Sequence, residues 1–137
     1  MNLVELNALC QNTLISNLGI EFIELKDFNL VARMPVDERT IQPFGYLHGG
    51  ALLALAETVG SAGSVLLVEG KPYHVMGSGI SANHVKSKKQ GYVLATGTIR
   101  HQGRSTHVWD VEIKDEKEEL ISICRITNIL VEKRDNH

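Results

Sequence analysis

Residues 48–68 read HGGALLALAETVGSAGSVLLV and, with His48 taken as neutral, contain a single charged side chain, Glu57. The run is made of apolar and small residues without proline, so its length and composition predict one helix over Gly49–Val68. Apolar residues fall on nearly all sides of this helix, which is typical of a helix that a sheet encloses. We therefore predict a long, buried central helix with an acid in its middle.

The same run approaches the length of a transmembrane helix. An acid at its centre would cost about 2.5–3.5 kcal/mol on insertion scales, and small or hydroxyl side chains follow it. The N-terminus has no basic region followed by an apolar core, so we predict no signal peptide. Cys10 and Cys124 lack metal-ligand or redox spacing and suit a reducing compartment. We expect a soluble, cytoplasmic protein with no membrane association.

The flanking segments predict one N-terminal helix and six strands. Asn2 can cap a helix over Asn2–Asn17, with Glu5 at the reciprocal position of a capping box. The strands are expected at Ile20–Leu25, Asn29–Met34, Tyr73–Ser87, Tyr92–His101, Thr106–Lys114 and Leu120–Val131. No linker or internal repeat interrupts this order. The chain is predicted to be one α+β domain over residues 1–137 with an antiparallel sheet.

The charges are unevenly distributed along the chain. The net charge of −2 gives no global attraction for nucleic acid. Between Gly70 and Trp109 there is nevertheless no acid, while six basic residues occur there: Lys71, Lys86, Lys88, Lys89, Arg100 and Arg104. A local basic surface suits a phosphate-bearing ligand, although lysines at strand ends are as often simply solvated. The Gly103-Arg104-Ser105 turn could grip phosphate through backbone and guanidinium groups. The histidines show no metal-ligand pattern, so no metal is predicted.

Glu57 is the first candidate for a functional side chain. A carboxylate that loses hydration without a partner costs several kcal/mol, so such a group usually has a partner or a task. A desolvated carboxylate can act as general base or nucleophile. The alternative is a structural acid paired with a lysine or arginine, and we favour function over it. Ser61, at i+4 on the same face, could hold the carboxylate or a water, although such a serine is more often a packing residue.

The turn His48-Gly49-Gly50 supplies the second candidate. It places peptide N–H groups at the positive end of the helix, where they can bind an anion or a developing oxyanion. A plain glycine-rich loop is the simpler interpretation of the two glycines alone. Glu57 lies eight residues after Gly49, which is about 12 Å along a helix. One reacting carbonyl cannot touch both residues of one helix. If both act on the same bond, the helix entrance must come from a second subunit.

Three motifs carry a resemblance to a known family. The run QPFGYLHGGALLALAETVGSAGS at residues 42–64, with ISANHVKS at 80–87 and HQGRSTHVW at 101–109, resembles the hotdog-fold acyl-CoA thioesterases of the PaaI-like family. The glutamate in the central helix is similar to the branch that holds 4-hydroxybenzoyl-CoA thioesterase of the Arthrobacter type. That branch also holds 1,4-dihydroxy-2-naphthoyl-CoA thioesterase of menaquinone synthesis. A related branch usually has aspartate at the position of Glu57.

The resemblance implies a fold, an assembly and a set of roles. The fold is a curved antiparallel sheet wrapped around the long helix, and the assembly is a dimer with interfacial sites, commonly paired into a tetramer. The acid matching Glu57 attacks the thioester carbonyl or activates water, while the amide matching Gly49 polarises that carbonyl from the opposite subunit. Gln42 and His48 match residues that orient the thioester, and Ser61 matches a hydroxyl that assists hydrolysis. The matches to regions that hold pantetheine and nucleotide phosphates are His84, Val85, Lys86, Ser87, Gly103, Arg104 and Ser105.

The hypothesis from sequence is therefore hydrolysis of an acyl-CoA, with an aromatic acyl group as the first candidate, to the free acid and CoA. No metal or redox cofactor is implied. One alternative is a hotdog dehydratase that uses His48 with Glu57 on a 3-hydroxyacyl thioester. Another is a non-catalytic module that binds acyl-CoA without turnover.

Overall fold

A computed structural model describes residues 1–27 and 29–134 of the chain. Its elements, in order, are α1 (Leu3–Leu9), α2 (Leu14–Asn17), β1 (Glu21–Lys26), β2 (Asn29–Pro35), α3 (Gly49–Leu67), β3 (Tyr73–His84), β4 (Tyr92–Gln102), β5 (Thr106–Asp115) and β6 (Leu120–Glu132). The six strands form one sheet in the order β1-β2-β4-β5-β6-β3, and every neighbouring pair is antiparallel. The prediction of an α+β fold with an antiparallel sheet is confirmed.

The prediction of a single N-terminal helix is wrong. Asn2 caps α1 as expected, because its Oδ1 accepts the N–H of Glu5 at 2.9 Å. The chain then breaks at Asn12, whose φ is 61°, a left-handed conformation that asparagine tolerates better than most residues. Thr13 caps the separate helix α2 by accepting the N–H of Ile15 at 3.2 Å. Two short helices therefore stand where one was predicted.

The strand boundaries agree with prediction to within one residue except at the end of β3. This strand ends at His84 rather than at Ser87. The N–H of Val85 still donates to the carbonyl of Ile121 at 2.8 Å. After Val85 the chain leaves the sheet and passes the start of α3, where the backbone carbonyl of Lys88 accepts the N–H of Leu47 at 2.7 Å. This departure brings residues 84–87 next to the helix entrance.

Helix α3 packs one face on the sheet and leaves the opposite face open. The buried face consists of Ala51, Leu52, Leu55, Ala56, Val59, Gly60, Gly63 and Ser64. Gly63 permits close packing, because a Cβ at this position would lie 2.6 Å from Trp109 Cζ2. The opposite face carries Glu57 and Val65, which are exposed, beside the partly buried Ser61. The predicted packing of the sheet on a long central helix is confirmed, and the acid lies on the face of the helix that the sheet leaves open.

A buried polar network ties α3 to β5 and β6. Ser64, His107, Trp109 and Asn128 are each at most 1% exposed. Ser64 Oγ accepts the indole N–H of Trp109 at 2.8 Å and the amide N–H of Asn128 at 2.9 Å. Its own hydrogen is thus donated to His107 Nδ1, 2.8 Å away. His107 is therefore neutral, with its proton on Nε2. Burial lowers the pKa of His107, and nearby His101 and Lys71 lower it further.

We expect the network to make stability depend on pH. Below about pH 6.5 the unfolded chain takes up a proton on His107 that the folded chain resists. The free energy of unfolding should therefore fall as the pH decreases through this range, by at most about 1.4 kcal/mol per pH unit for this one proton. Above both pKa values neither state binds the proton and the dependence disappears.

Urea unfolding from about pH 7.5 to 5 should show that the free energy of unfolding changes less steeply with pH for His107→Gln than for the wild type. His74→Gln, at an exposed site, is the control, and equal slopes for all three proteins would contradict the expectation.

Candidate active site

Glu57 lines a groove within the part of the chain that the structure describes. This groove has a volume of about 510 Å³ and runs along the open face of α3, with Thr58 and Ser61 as further polar residues in its lining. The side chain of Glu57 is exposed in the single chain. Within residues 1–27 and 29–134, no basic side chain forms an ion pair with it. The alternative of a structural, paired acid therefore receives no support.

Gly77 on β3 provides the space that the Glu57 carboxylate occupies. A Cβ at Gly77 would lie 2.8 Å from Glu57 Oε1, closer than real Cβ atoms approach an oxygen. The strand register is irregular at the same place, between Gly77 and Gly79. The acid thus rests against the backbone of β3, the strand at the end of the sheet.

The start of α3 presents an unused peptide N–H. His48 is the N-cap, and its Nδ1 accepts the N–H of Gly50 at 2.7 Å. The neutral His48 ring therefore carries its proton on Nε2. Gly49 is the first residue of the helix, and nothing in the described part of the chain accepts its N–H. This donor lies at the positive end of the helix dipole, where negative charge is stabilised.

A second cavity, of about 300 Å³, brings Gly49 together with the segment His84–Ser87, and Leu47 and Leu52 complete its lining. A Cβ at Gly49 would lie 3.2 Å from His84 Nε2, so the imidazole borders the helix entrance. His84 Nδ1 is hydrogen-bonded to Ser122 Oγ at 2.8 Å. Ser122 is fully buried and was not anticipated, because a serine within a strand pattern gives no sign that its cross-strand partner is a histidine.

Gln42 and its neighbours fix the loop before the helix. Gln42 Oε1 accepts the N–H of Phe44 at 2.5 Å and that of Tyr46 at 3.4 Å. The N–H of His48 donates to the carbonyl of Thr40 at 2.8 Å. The side-chain oxygen of Gln42 thus organises the loop, which leaves its NH₂ group as the part that can donate elsewhere.

The structure separates the predicted catalytic residues into two groups. Glu57 and Ser61 line the groove on the open face of α3, whereas Gly49 lines the cavity at the helix entrance. Both groups belong to the same continuous helix, so the separation of about 12 Å along it holds. Each chain carries two halves of a site that cannot act together on one carbonyl.

Three of the six basic residues in the predicted basic surface form ion pairs with acidic residues of the same chain. Lys86 pairs with Glu119, Lys88 Nζ lies 2.6 Å from Glu116 Oε1, and Arg100 Nε lies 3.3 Å from Asp110 Oδ2. Lys88 also lies 3.7 Å from the buried Asp115. The arginine pair joins β4 to β5, and the two lysine pairs join the segment before β4 to the turn after β5. For Lys88 in particular, a structural interpretation is favoured over ligand binding.

The two segments predicted to hold CoA lie at opposite ends of β3. Gly103 and Arg104 line a third cavity, of about 250 Å³, with Lys71, Tyr73 and His107. Ser105 follows in the same turn, and its carbonyl accepts the N–H of Leu130 at 2.9 Å. Tyr73 begins and His84 ends the 12-residue strand β3, so they lie roughly 36 Å apart along it. The two segments are therefore far apart within one chain.

Relatives among known proteins cover nearly the whole chain. The pattern of the thioesterase superfamily matches residues 44–122, which contain both halves of the site. The 1,4-dihydroxy-2-naphthoyl-CoA hydrolase of Escherichia coli K12 is 42% identical over 131 residues, 96% of this chain and 96% of that protein. The structure of thioesterase HI1161 from Haemophilus influenzae matches with a TM-score of 0.95 and 40% identity, covering 100% of this chain and 95% of that one. A mutant of thioesterase PA1618 from Pseudomonas aeruginosa matches with a TM-score of 0.94 and 41% identity, covering 96% and 95%.

Proposed function

The chain belongs to the thioesterase superfamily and has its hotdog fold, and on that premise we propose that it hydrolyses an acyl-CoA with an aromatic acyl group, such as hydroxybenzoyl or dihydroxynaphthoyl. The observation that carries the proposal is the Glu57 carboxylate, which has no basic ion-pair partner within the described residues and opens on an apolar groove. The E. coli relative of 42% identity supports a dihydroxynaphthoyl group, which would place the enzyme in menaquinone synthesis. The proposed location is the cytoplasm.

Glu57 acts on the thioester in one of two ways. As a general base it takes a proton from water, whose oxygen attacks the carbonyl carbon. As a nucleophile it attacks that carbon itself, and water then hydrolyses the resulting mixed anhydride. In both cases the C–S bond breaks, the sulfur leaves as the thiol of CoA after taking up a proton, and the acyl group becomes a carboxylic acid. Ser61, one turn along the helix, would position the water.

The helix entrance supplies the electrostatic part of the reaction. The N–H of Gly49 would donate to the thioester oxygen as negative charge develops on it, an interaction often worth about 2.7–4 kcal/mol. His48 Nε2–H and the NH₂ group of Gln42 are further donors that would orient the thioester. Residues His84–Ser87 border the same cavity and would contact pantetheine, while Gly103–Ser105 would hold phosphates from another chain.

The proposed mechanism needs a second copy of the chain. Strand β3 ends the sheet, so one of its edges has backbone groups free to pair with another strand. Glu57 lies against this strand at Gly77, which places the acid toward the side where a second copy would pair. We propose a dimer in which Glu57 of one chain and Gly49 of the other share a site, and a tetramer of two such dimers.

The geometry of His48 disfavours the dehydratase alternative. A dehydratase would need a ring nitrogen of His48 as the base that removes a proton from substrate. His48 Nδ1 is occupied by the N–H of Gly50, so the neutral ring holds its proton on Nε2 and faces the substrate as a donor. This tautomer suits polarisation of a carbonyl rather than proton abstraction.

The proposal is tested by release of free CoA from a panel of aromatic, short-chain and long-chain acyl-CoA esters. We expect hydrolysis of at least one ester, with aromatic esters giving the highest kcat/KM. Loss of water from a 3-hydroxyacyl-CoA without thiol release would instead indicate a dehydratase. Tight binding of several esters without turnover would indicate a binding module.

A further inference from the structure

We propose that the N-terminal helices α1 and α2 form the wall of the acyl-binding site, and that this site selects uncharged, apolar acyl groups. The proposal rests on the proposed thioesterase function and adds the location and chemistry of the acyl subsite. It assigns this part of the site to the same chain that supplies Glu57.

The groove that contains Glu57 has two chemically different sides. Its polar side consists of Glu57, Thr58 and Ser61 on α3, and the facing side is apolar and includes Leu6, Leu9 and Leu14 from the N-terminal helices. A volume of about 510 Å³ lies within the range of sites for small ligands. An acyl group bound here would have its carbonyl carbon at the carboxylate and its tail against α1 and α2.

The lining also defines the chemical class of the tail. Among its residues Glu57 is the only one with a charged side chain, and no lysine or arginine takes part. A tail that ends in a carboxylate would lose hydration beside Glu57 without a positive partner, which is unfavourable. The alkyl or aryl tail of an acyl group would pack against the apolar side formed by α1 and α2.

The exposure of the wall indicates that something apolar covers it. Leu9 and Leu14 are each 64% exposed, although both face a groove rather than lying singly on a convex surface. Exposed apolar surface that is gathered in a groove marks a binding site more often than the same residues scattered apart. Helix α1 is nevertheless fixed to the sheet, because the side chain of Asn7 makes two hydrogen bonds of 2.9 Å with the backbone of Phe22 on β1. The groove is therefore a formed site with an uncovered apolar side.

The test uses S-alkyl-CoA thioethers, which bind but cannot be hydrolysed, with titration calorimetry as the measurement. For the wild type we expect S-octyl-CoA to bind at least about tenfold more tightly than S-ethyl-CoA, because the longer tail buries more apolar surface. Leu9→Trp and Leu14→Trp place a larger ring in the groove and should reduce this affinity ratio about tenfold. Val4→Trp lies on the same helix α1, at a residue that is 78% exposed and outside the groove, and should keep the wild-type ratio.

Each outcome decides the proposal. A wild-type ratio near one, or an unchanged ratio in both groove variants, would overturn it, and circular dichroism establishes that the variants fold. S-(7-carboxyheptyl)-CoA should bind more weakly than S-octyl-CoA, and equal affinity would refute the charge selection. Because thioethers report binding alone, an enzyme that shows the expected ratio but hydrolyses no ester would refute the thioesterase proposal and leave the apolar groove established.

Discussion

Glu57→Gln is expected to lower kcat for thioester hydrolysis by about 10²–10⁴-fold, the usual contribution of a general base, and by at least as much if the acid is the nucleophile. Glutamine keeps the size of the side chain beside Gly77 but can neither accept a proton from water nor form an anhydride. The measurement is thiol release from the best ester of the panel. Affinity for S-octyl-CoA should persist, because the apolar wall and the helix entrance are untouched.

The matched control for this variant is Glu38→Gln, which makes the same chemical change at an exposed residue before the helix-entrance loop. This control should retain wild-type kcat. Turnover close to that of the wild type in Glu57→Gln would remove Glu57 from the chemistry and with it the proposed mechanism. Loss of S-octyl-CoA affinity together with turnover would assign the residue to substrate binding instead.

The elements of the fold could be read from sequence because their signals are local. Residues 48–68 form a helix since a long run of small and apolar residues without proline has few other stable conformations. The alternation around Trp109, Val111 and Ile113 places β5 within a residue of its observed start and end. The break at Asn12 was missed, since a left-handed residue followed by an N-cap threonine makes only a short interruption in a helical pattern.

Burial and pairing could not be read from sequence in the same way. A helix that is apolar on nearly all sides does not indicate which side the sheet covers, so the exposure of Glu57 follows only from where the strands and the N-terminal helices lie. The sequence left solvation and ligand binding equally open for Lys88, because its partner Glu116 is 28 residues away and reaches it only through the strand order. The resemblance to thioesterases identified His84 as a candidate site residue. Its hydrogen-bond partner Ser122 could not be predicted, because the two residues lie opposite each other only through the register of β3 and β6.

The second large effect is expected for Gly49→Pro, which should lower kcat by about 10²–10³-fold, as loss of an oxyanion donor does. Proline removes the N–H and adds ring carbons, of which the Cβ contacts His84. Gly49 is the first residue of the helix, a position where proline is favoured. His48, before it, has φ −71° and ψ 131°, the extended conformation that a residue preceding proline prefers.

Gly49→Ala is the control, because it adds the same contact with His84 but keeps the N–H, and it should retain most of the activity. Equal losses in both variants would mean that the contact, and not the N–H, is responsible.

Mixing the two inactive variants decides whether a site spans two chains. In a mixed dimer, the Glu57→Gln chain supplies an intact Gly49 to the intact Glu57 of the Gly49→Pro chain, so one of the two sites is complete. Random pairing of equal amounts makes about half of the dimers mixed, so denaturing and refolding the mixture should restore about a quarter of wild-type activity for a twofold-symmetric dimer. If Glu57 and Gly49 of the same chain acted together, every site in the mixture would lack one group and no activity would return. A mixture that stays inactive while each variant alone refolds to a dimer would therefore refute the shared site.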